Sequence, residues 1–115
     1  MTVKLHAAAR DLVEAIDGTL PRDLEKRYAD GDRSVYTHRL FEGRGKKMQK
    51  LITSRYDEER LLRGRVDAYV RLFERLLDQL ADVPRGSEMV EASLSSESGL
   101  IYMMLAESAG RIPPQ

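Results

Sequence analysis

The sequence predicts an all-α protein, a helical bundle of about five helices organised around one long amphipathic helix over about 46–82. Three observations carry that expectation. From Lys46 to Asp82 the chain has no proline, and Leu62, Val66, Tyr69, Phe73, Leu76, Leu80 and Val83 recur at alternating steps of four and three. That spacing is a heptad seam, one stripe along a helix, which Val70 and Leu77 widen enough for a bundle core. Secondly, no β-alternation of useful length and no internal repeat appears. Thirdly, a chain 42% hydrophobic and 33% charged suits a soluble helical domain and is too apolar for disorder. Its 115 residues are expected to form a single domain.

The first segment, 1–31, reads as a helical hairpin. Leu5, Ala8, Ala9, Leu12, Val13 and Ile16 make a helical face from about Thr2, with Gly18 as the stop. Leu20-Pro21 restarts the chain, since proline suits a first helical turn, and Leu24, Tyr28 and Ala29 form the second apolar face. Asp30-Gly31-Asp32 closes it. A short helix over 34–42 follows, with Ser34 as its cap and Val35, Tyr36, Leu40 and Phe41 as its apolar positions. Gly43-Arg44-Gly45 separates it from the long helix.

The long helix raises a question of reach. At about 1.5 Å per residue, a straight 46–82 helix spans roughly 55 Å. A compact chain of this length has a radius of gyration of only about 13 Å. The helix is therefore expected to bend near Gly64, or to project and meet a second copy. Self-association as a homodimer through Leu62, Val66, Tyr69, Phe73, Leu76 and Leu80 is the favoured reading. Continued toward the amino terminus, the seam falls on Glu59, Arg55, Ile52 and Met48. Either the seam ends near Leu62 and this portion is solvated, or a partner helix supplies complementary charges.

Val83-Pro84-Arg85-Gly86 is a stop and a turn, and Ser87-Glu88 opens a carboxy-terminal helical region over 87–109. Met89, Val90, Leu94, Leu100, Ile101, Met104 and Leu105 are its apolar positions. The serine-rich stretch Ser93–Gly99 forms helix poorly, so a break near 95–99 is expected. Pro113-Pro114 marks a frayed tail. Tyr69, Phe73, Met103 and Met104 read as core rather than as a partner groove.

Charge balances in total, with 19 basic and 19 acidic residues, but not along the chain. Residues 33–55 hold Arg33, Arg39, Arg44, Lys46, Lys47, Lys50 and Arg55 against one acid, Glu42. The patch surrounds Gly43-Arg44-Gly45-Lys46-Lys47, at the start of a helix, where free N–H groups favour an anion. Arg39, Arg44, Lys46, Lys47, Lys50 and Arg55 are thus the candidate anion- or nucleic-acid-binding residues. The alternative is a solvated loop balanced by acidic segments elsewhere. A Walker A loop is absent, and a basic patch alone does not read bases.

Other chemistries find little footing. Without cysteine there is no disulfide, thiolate metal site or cysteine nucleophile. Asp57-Glu58-Glu59 lacks a histidine at ligand spacing and is expected to pair with Arg55, Arg60 and Arg63. A histidine phosphotransfer motif places glycine four residues after its histidine, whereas Gly43 lies five after His38. His6 reads as a surface or half-buried residue. No apolar run suits a membrane span and the amino terminus is not a secretory signal, so a cytoplasmic location is expected. The functional expectation is a non-enzymatic interaction module without cofactor or metal, acting as adaptor, regulator or assembly subunit. The alternative is a nucleic-acid-binding regulator that uses residues 33–55 on a dimeric scaffold.

Overall fold

The computed structural model describes residues 2–112, so the expectation for Pro113-Pro114 lies outside the described residues. Among these there are seven α-helices and no strand: α1 (Thr2–Asp17), α2 (Arg22–Ala29), α3 (Val35–Gly43), α4 (Lys46–Tyr56), α5 (Arg60–Ala81), α6 (Gly86–Ser95) and α7 (Glu97–Ser108). No helix among them is long and apolar enough to cross a membrane.

The expected 46–82 helix is two helices, which corrects the sequence reading. α4 ends at Tyr56, and Glu59 takes extended backbone angles (φ −107°, ψ 100°) before α5 begins at Arg60. The physical reason lies in Asp57-Glu58-Glu59. Three acids following the carboxy-terminal end of α4 oppose its dipole, whereas the same acids favour the start of α5. Arg55 fixes the corner by holding Glu59 with two hydrogen bonds, one of 2.8 Å from Nη2 to Oε1. The same guanidinium donates to the Ala15 and Ile16 carbonyls at 3.0 and 3.1 Å, closing the last turn of α1. So the charged seam positions pair with each other, with Glu59 still exposed, and Gly64 sits inside an unbroken α5. With the chain folded back here, the longest extent is 41 Å and the radius of gyration 14.0 Å.

The carboxy-terminal region divides at Ser96, within the 95–99 stretch where a break is expected, and together with the α4–α5 division this brings the helices to seven among the described residues rather than about five. Ser96 has extended angles and caps α7, its Oγ accepting from the Gly99 amide at 3.1 Å while donating to Ser93 O at 2.6 Å. Ser34, by contrast, precedes α3 without capping it; its hydroxyl donates to Asp32 instead, at 3.3 Å.

The core draws on α1 (Leu5, Ala9, Leu12, Val13), α3 (Tyr36, Leu40), α4 (Ile52), α5 (Leu62, Val66, Tyr69, Val70, Phe73) and α7 (Ile101, Met104, Leu105, Ala106). α1 packs on α5 and α3, and α7 touches α3, α4, α5 and α6. Phe73 stacks on Tyr102 of α7, ring centroids 4.8 Å apart, and Tyr69 donates to Ser98 O at 2.9 Å. Burial pushes the Tyr69 hydroxyl pKa well above its ordinary value. Backbone closeness defines the two corners flanking α6. A Cβ on Gly86 would lie 2.1 Å from Leu80 O, and one on Gly99 would lie 2.1 Å from Ser93 O.

α2 buries none of its residues. It is held by Glu25, which receives Arg10 at 2.7 and 3.0 Å and the Tyr36 hydroxyl at 2.7 Å. Tyr28 of α2 packs against Tyr36 at 5.7 Å, with Arg10 and Arg33 over its ring. Arg10 first, and Tyr36 second, hold the Glu25 carboxyl far below its usual range, at about 2. Burial, then the Glu25 bond, pushes the Tyr36 hydroxyl up to about 12.

Candidate functional site: a basic-rimmed groove at the α1–α3–α4 corner

Helices α1, α3 and α4 converge where α3 ends at Gly43 and α4 begins at Lys46, leaving an open groove of about 360 Å³. Its floor is mixed: Ile16 of α1 and Met48 of α4 are half-buried, Val13 and Leu40 beneath them belong to the buried core, and Asp17, Arg39 and Glu42 are polar. A contiguous depression shares Ile16, Asp17, Gly43 and Met48 and extends the floor to Lys47 and Leu51. Leu51 is 38% exposed, an apolar side chain left at the groove's edge. The floor arises because α4 turns only Ile52 fully inward, so Met48, one turn earlier, is half-buried. The groove is at the small end of clefts that hold ligands, roughly 300–1,000 Å³.

Of the basic residues named from sequence, Arg39 and Lys47 line this groove, and the set does not act alike. Arg39 pairs with Asp17 at 3.0 Å. Arg44 lies over the Phe41 ring at 3.9 Å from its centroid and donates to the Phe41 carbonyl at 2.8 Å. Arg33 covers Tyr28, and Arg55 is committed to Glu59 and the end of α1. Lys46, Lys47 and Lys50 are exposed and join no ion pair among the described residues. Lys46 and Lys50, one turn apart, also border a shallow depression of about 520 Å³ with Gln49, Thr53 and Ser54. The polar neighbours there are already engaged. Gln49 donates to Glu107 at 2.8 Å, while the Thr53 and Ser54 hydroxyls donate back to Gln49 O and Leu51 O.

His38 borders the outer side of α3. Its Nε2 meets Glu42 at 2.6 Å and its Nδ1 meets Glu97 at 3.1 Å, tying α3 to the start of α7. Glu97, then Glu42, raise the His38 pKa above its ordinary 6.5. His6 Nδ1 lies 2.6 Å from the hydroxyl of buried Thr37, and burial lowers its pKa. Both histidines are thus held in local pairs. Among the described residues no three His, Asp or Glu side chains are grouped as metal ligands.

The seam residues divide into two sets. Leu62, Val66, Tyr69 and Phe73 lie fully within the chain's own core, which removes them from any surface a second copy could cover. Leu76 and Leu80 are half-buried, and beyond them Val83 and Met89 are 42% and 44% exposed. Sequence reasoning missed the Arg10–Glu25–Tyr36 cluster and the Tyr102–Glu74–Arg111 cluster, in which Glu74 accepts from Tyr102 at 3.1 Å and Arg111 at 2.5 Å. The partners are 15 and 11 residues apart in the first cluster and 28 and 37 in the second, and no pair lies within one helix. No local signal finds them. Comparisons of the chain with protein-family models, curated proteins and solved structures give no match.

Proposed function

We propose that this chain is a non-enzymatic helical interaction module that works in the cytoplasm. It presents the α1–α3–α4 corner to a partner and associates with a second copy through the distal end of the seam. One observation carries the partner-binding half. Lys47 stands without an acidic partner, among the described residues, beside a groove edged by half-buried Ile16 and Met48 and exposed Leu51, and Lys46 and Lys50, likewise without one, border a second depression on α4. Exposed apolar surface with a charged rim is what an interface offers before it is covered. The self-association half rests on Leu76, Leu80, Val83 and Met89 at the end of α5 and in the following turn and helix.

Sedimentation at micromolar concentration tests self-association. A particle heavier than 13.1 kDa is expected, reverting to 13.1 kDa in the Leu76→Glu, Leu80→Glu variant. A 13.1 kDa particle throughout rejects this half. Capture of partners with and without nuclease tests the other.

The second reading, a nucleic-acid-binding regulator, is favoured by the same three lysines at the first, second and fifth positions of α4. With three free phosphate contacts, log Kd would change with log salt by a slope of roughly 3. Fluorescence anisotropy against arbitrary duplex and single-stranded probes measures it. An absence of binding at micromolar protein removes this reading.

A further inference from the structure

Resting on the self-association reading, we infer that a second copy of this chain docks antiparallel on the outer face of α5, about a twofold axis between Leu76 and Leu77. Four charges set that register. Arg71, Arg75, Asp78 and the C-cap Asp82 follow one another at steps of four, three and four, so they share one stripe of the helix. All four are exposed, and none joins an ion pair among the described residues. The acids nearest the arginines along α5 are already engaged. Asp67 accepts the Tyr56 hydroxyl at 2.5 Å, and Glu74 accepts Arg111 at 2.5 Å and Tyr102 at 3.1 Å. Within one chain the stripe is unfavourable, because Arg71 and Arg75 are like charges one turn apart, as are Asp78 and Asp82.

Reversed end to end, the order plus, plus, minus, minus becomes its own complement, and the spacing is unchanged. In the antiparallel pair Arg71 stands level with the partner's Asp82, and Arg75 with the partner's Asp78. The twofold axis repeats both contacts, giving four ion pairs from one stripe. A parallel copy at the same stripe sets arginine against arginine. A foreign helix would need this order by coincidence, whereas a second copy carries it by construction. Leu72, Leu76, Gln79 and Val83, each one residue beyond a charge, form the adjoining stripe. Leu72 and Leu76 are half-buried and Val83 is 42% exposed, so closing the charged stripe on itself also covers apolar surface.

Sedimentation of the full chain and three charge variants tests this, with one member of each mixture carrying a fluorophore. An acidic variant (Arg71→Glu, Arg75→Glu) and a basic variant (Asp78→Arg, Asp82→Arg) should each self-associate at least about tenfold more weakly than the parent. Mixed with each other, they should associate again. Added salt should weaken the parent's association and strengthen that of each variant alone. The exchange of all four charges (Arg71→Glu, Arg75→Glu, Asp78→Arg, Asp82→Arg) restores the palindrome, so that variant should pair with itself and not with the parent. The four positions are exposed, so the variants should melt like the parent, and recovery on mixing shows that both members are folded. Acidic and basic variants that associate as tightly as the parent overturn the inference, as does a mixture that does not recover. Pairing of the exchange variant with the parent also overturns it, because only a parallel pair allows that. Each of these leaves self-association standing, whereas a parent of 13.1 kDa throughout rejects self-association and the inference with it.

Discussion

Helices α5 and α7 make the instructive pair. α5 runs from Arg60 to Ala81 and buries one stripe, Leu62, Val66, Tyr69, Val70 and Phe73, with arginines on its outer side. α7 runs only from Glu97 to Ser108, yet Gly99, Ile101, Tyr102, Met104, Leu105, Ala106 and Ser108 are all buried. The consecutive run from Met104 to Ala106 covers nearly the whole turn, because α7 is touched by α3, α4, α5 and α6. A helix apolar on one side lies at a surface, and one apolar all round lies inside. The clear stripe on α5 marks a wall of the molecule, and α7, with no clear stripe, is its centre.

The largest expected effects test whether α7 matters as much as the longer helix. Phe73→Ala should cost roughly 3–5 kcal/mol and Leu105→Ala roughly 2–5 kcal/mol. Both are large against the 5–15 kcal/mol typical of a domain. Denaturant midpoints at constant slope would measure them. If Leu105→Ala were as mild as a surface change, under about 0.5 kcal/mol, α7 would not be central.

Gly99→Ala comes next, at about 1–3 kcal/mol and toward the upper end. Its new methyl would meet backbone, 2.1 Å from Ser93 O and 2.7 Å from Leu94 Cα, which cannot swing aside as a side chain does. A melting temperature lowered by roughly 10 °C is expected. An unchanged melting curve would mean that the α6–α7 corner yields easily.

A more local effect contrasts α7 with α2, which has no buried residue. The Glu25 carboxyl is depressed from 4.5 to about 2, with Arg10 the first cause and Tyr36 the second. A depressed carboxylate stabilises the fold fully above its unfolded value and loses that contribution as pH falls through its folded one. The Glu25 contribution should therefore drain between about pH 4.5 and pH 2. Amide exchange should show α2 opening in this window before α7, and Glu25→Gln should open α2 at neutral pH. Simultaneous opening of both helices would show that α2 is held by something other than this cluster.

The smallest effect has the opposite sign. Gly64 lies exposed inside α5, and nothing would meet an added Cβ within 4 Å. Gly64→Ala should stabilise by roughly 0.5–1 kcal/mol, since alanine loses less freedom on entering a helix. Destabilisation on thermal melting would indicate a bend at Gly64 after all, and a seam less regular than α5 displays.

Local chemistry determined a good deal. Period-3.6 spacing in Leu5–Ile16 and Leu62–Phe73 marked helices and the faces they bury, because that pattern depends only on the backbone repeat. Glycine and proline at Gly18, Pro21, Gly45 and Pro84 marked the gaps between helices, since their backbone restrictions are also local. The concentration of basic residues in 33–55 was equally plain. What only the tertiary structure decided is which partners those faces and charges meet. A stripe says that a face wants burial, not whether α7 or a second copy buries it. Thus Leu62 through Phe73 are spent inside the chain, while Leu76 and Leu80 are left partly open. In the stretch 46–82 Asp57-Glu58-Glu59 weakens the helix locally without a proline or glycine there to break it, and the corner at Glu59 is fixed by Arg55 reaching carbonyls 39 and 40 residues earlier. Likewise Asp17 and Glu59 pair with Arg39 and Arg55 while Lys46, Lys47 and Lys50 join no ion pair among the described residues, a sorting made by distances in space.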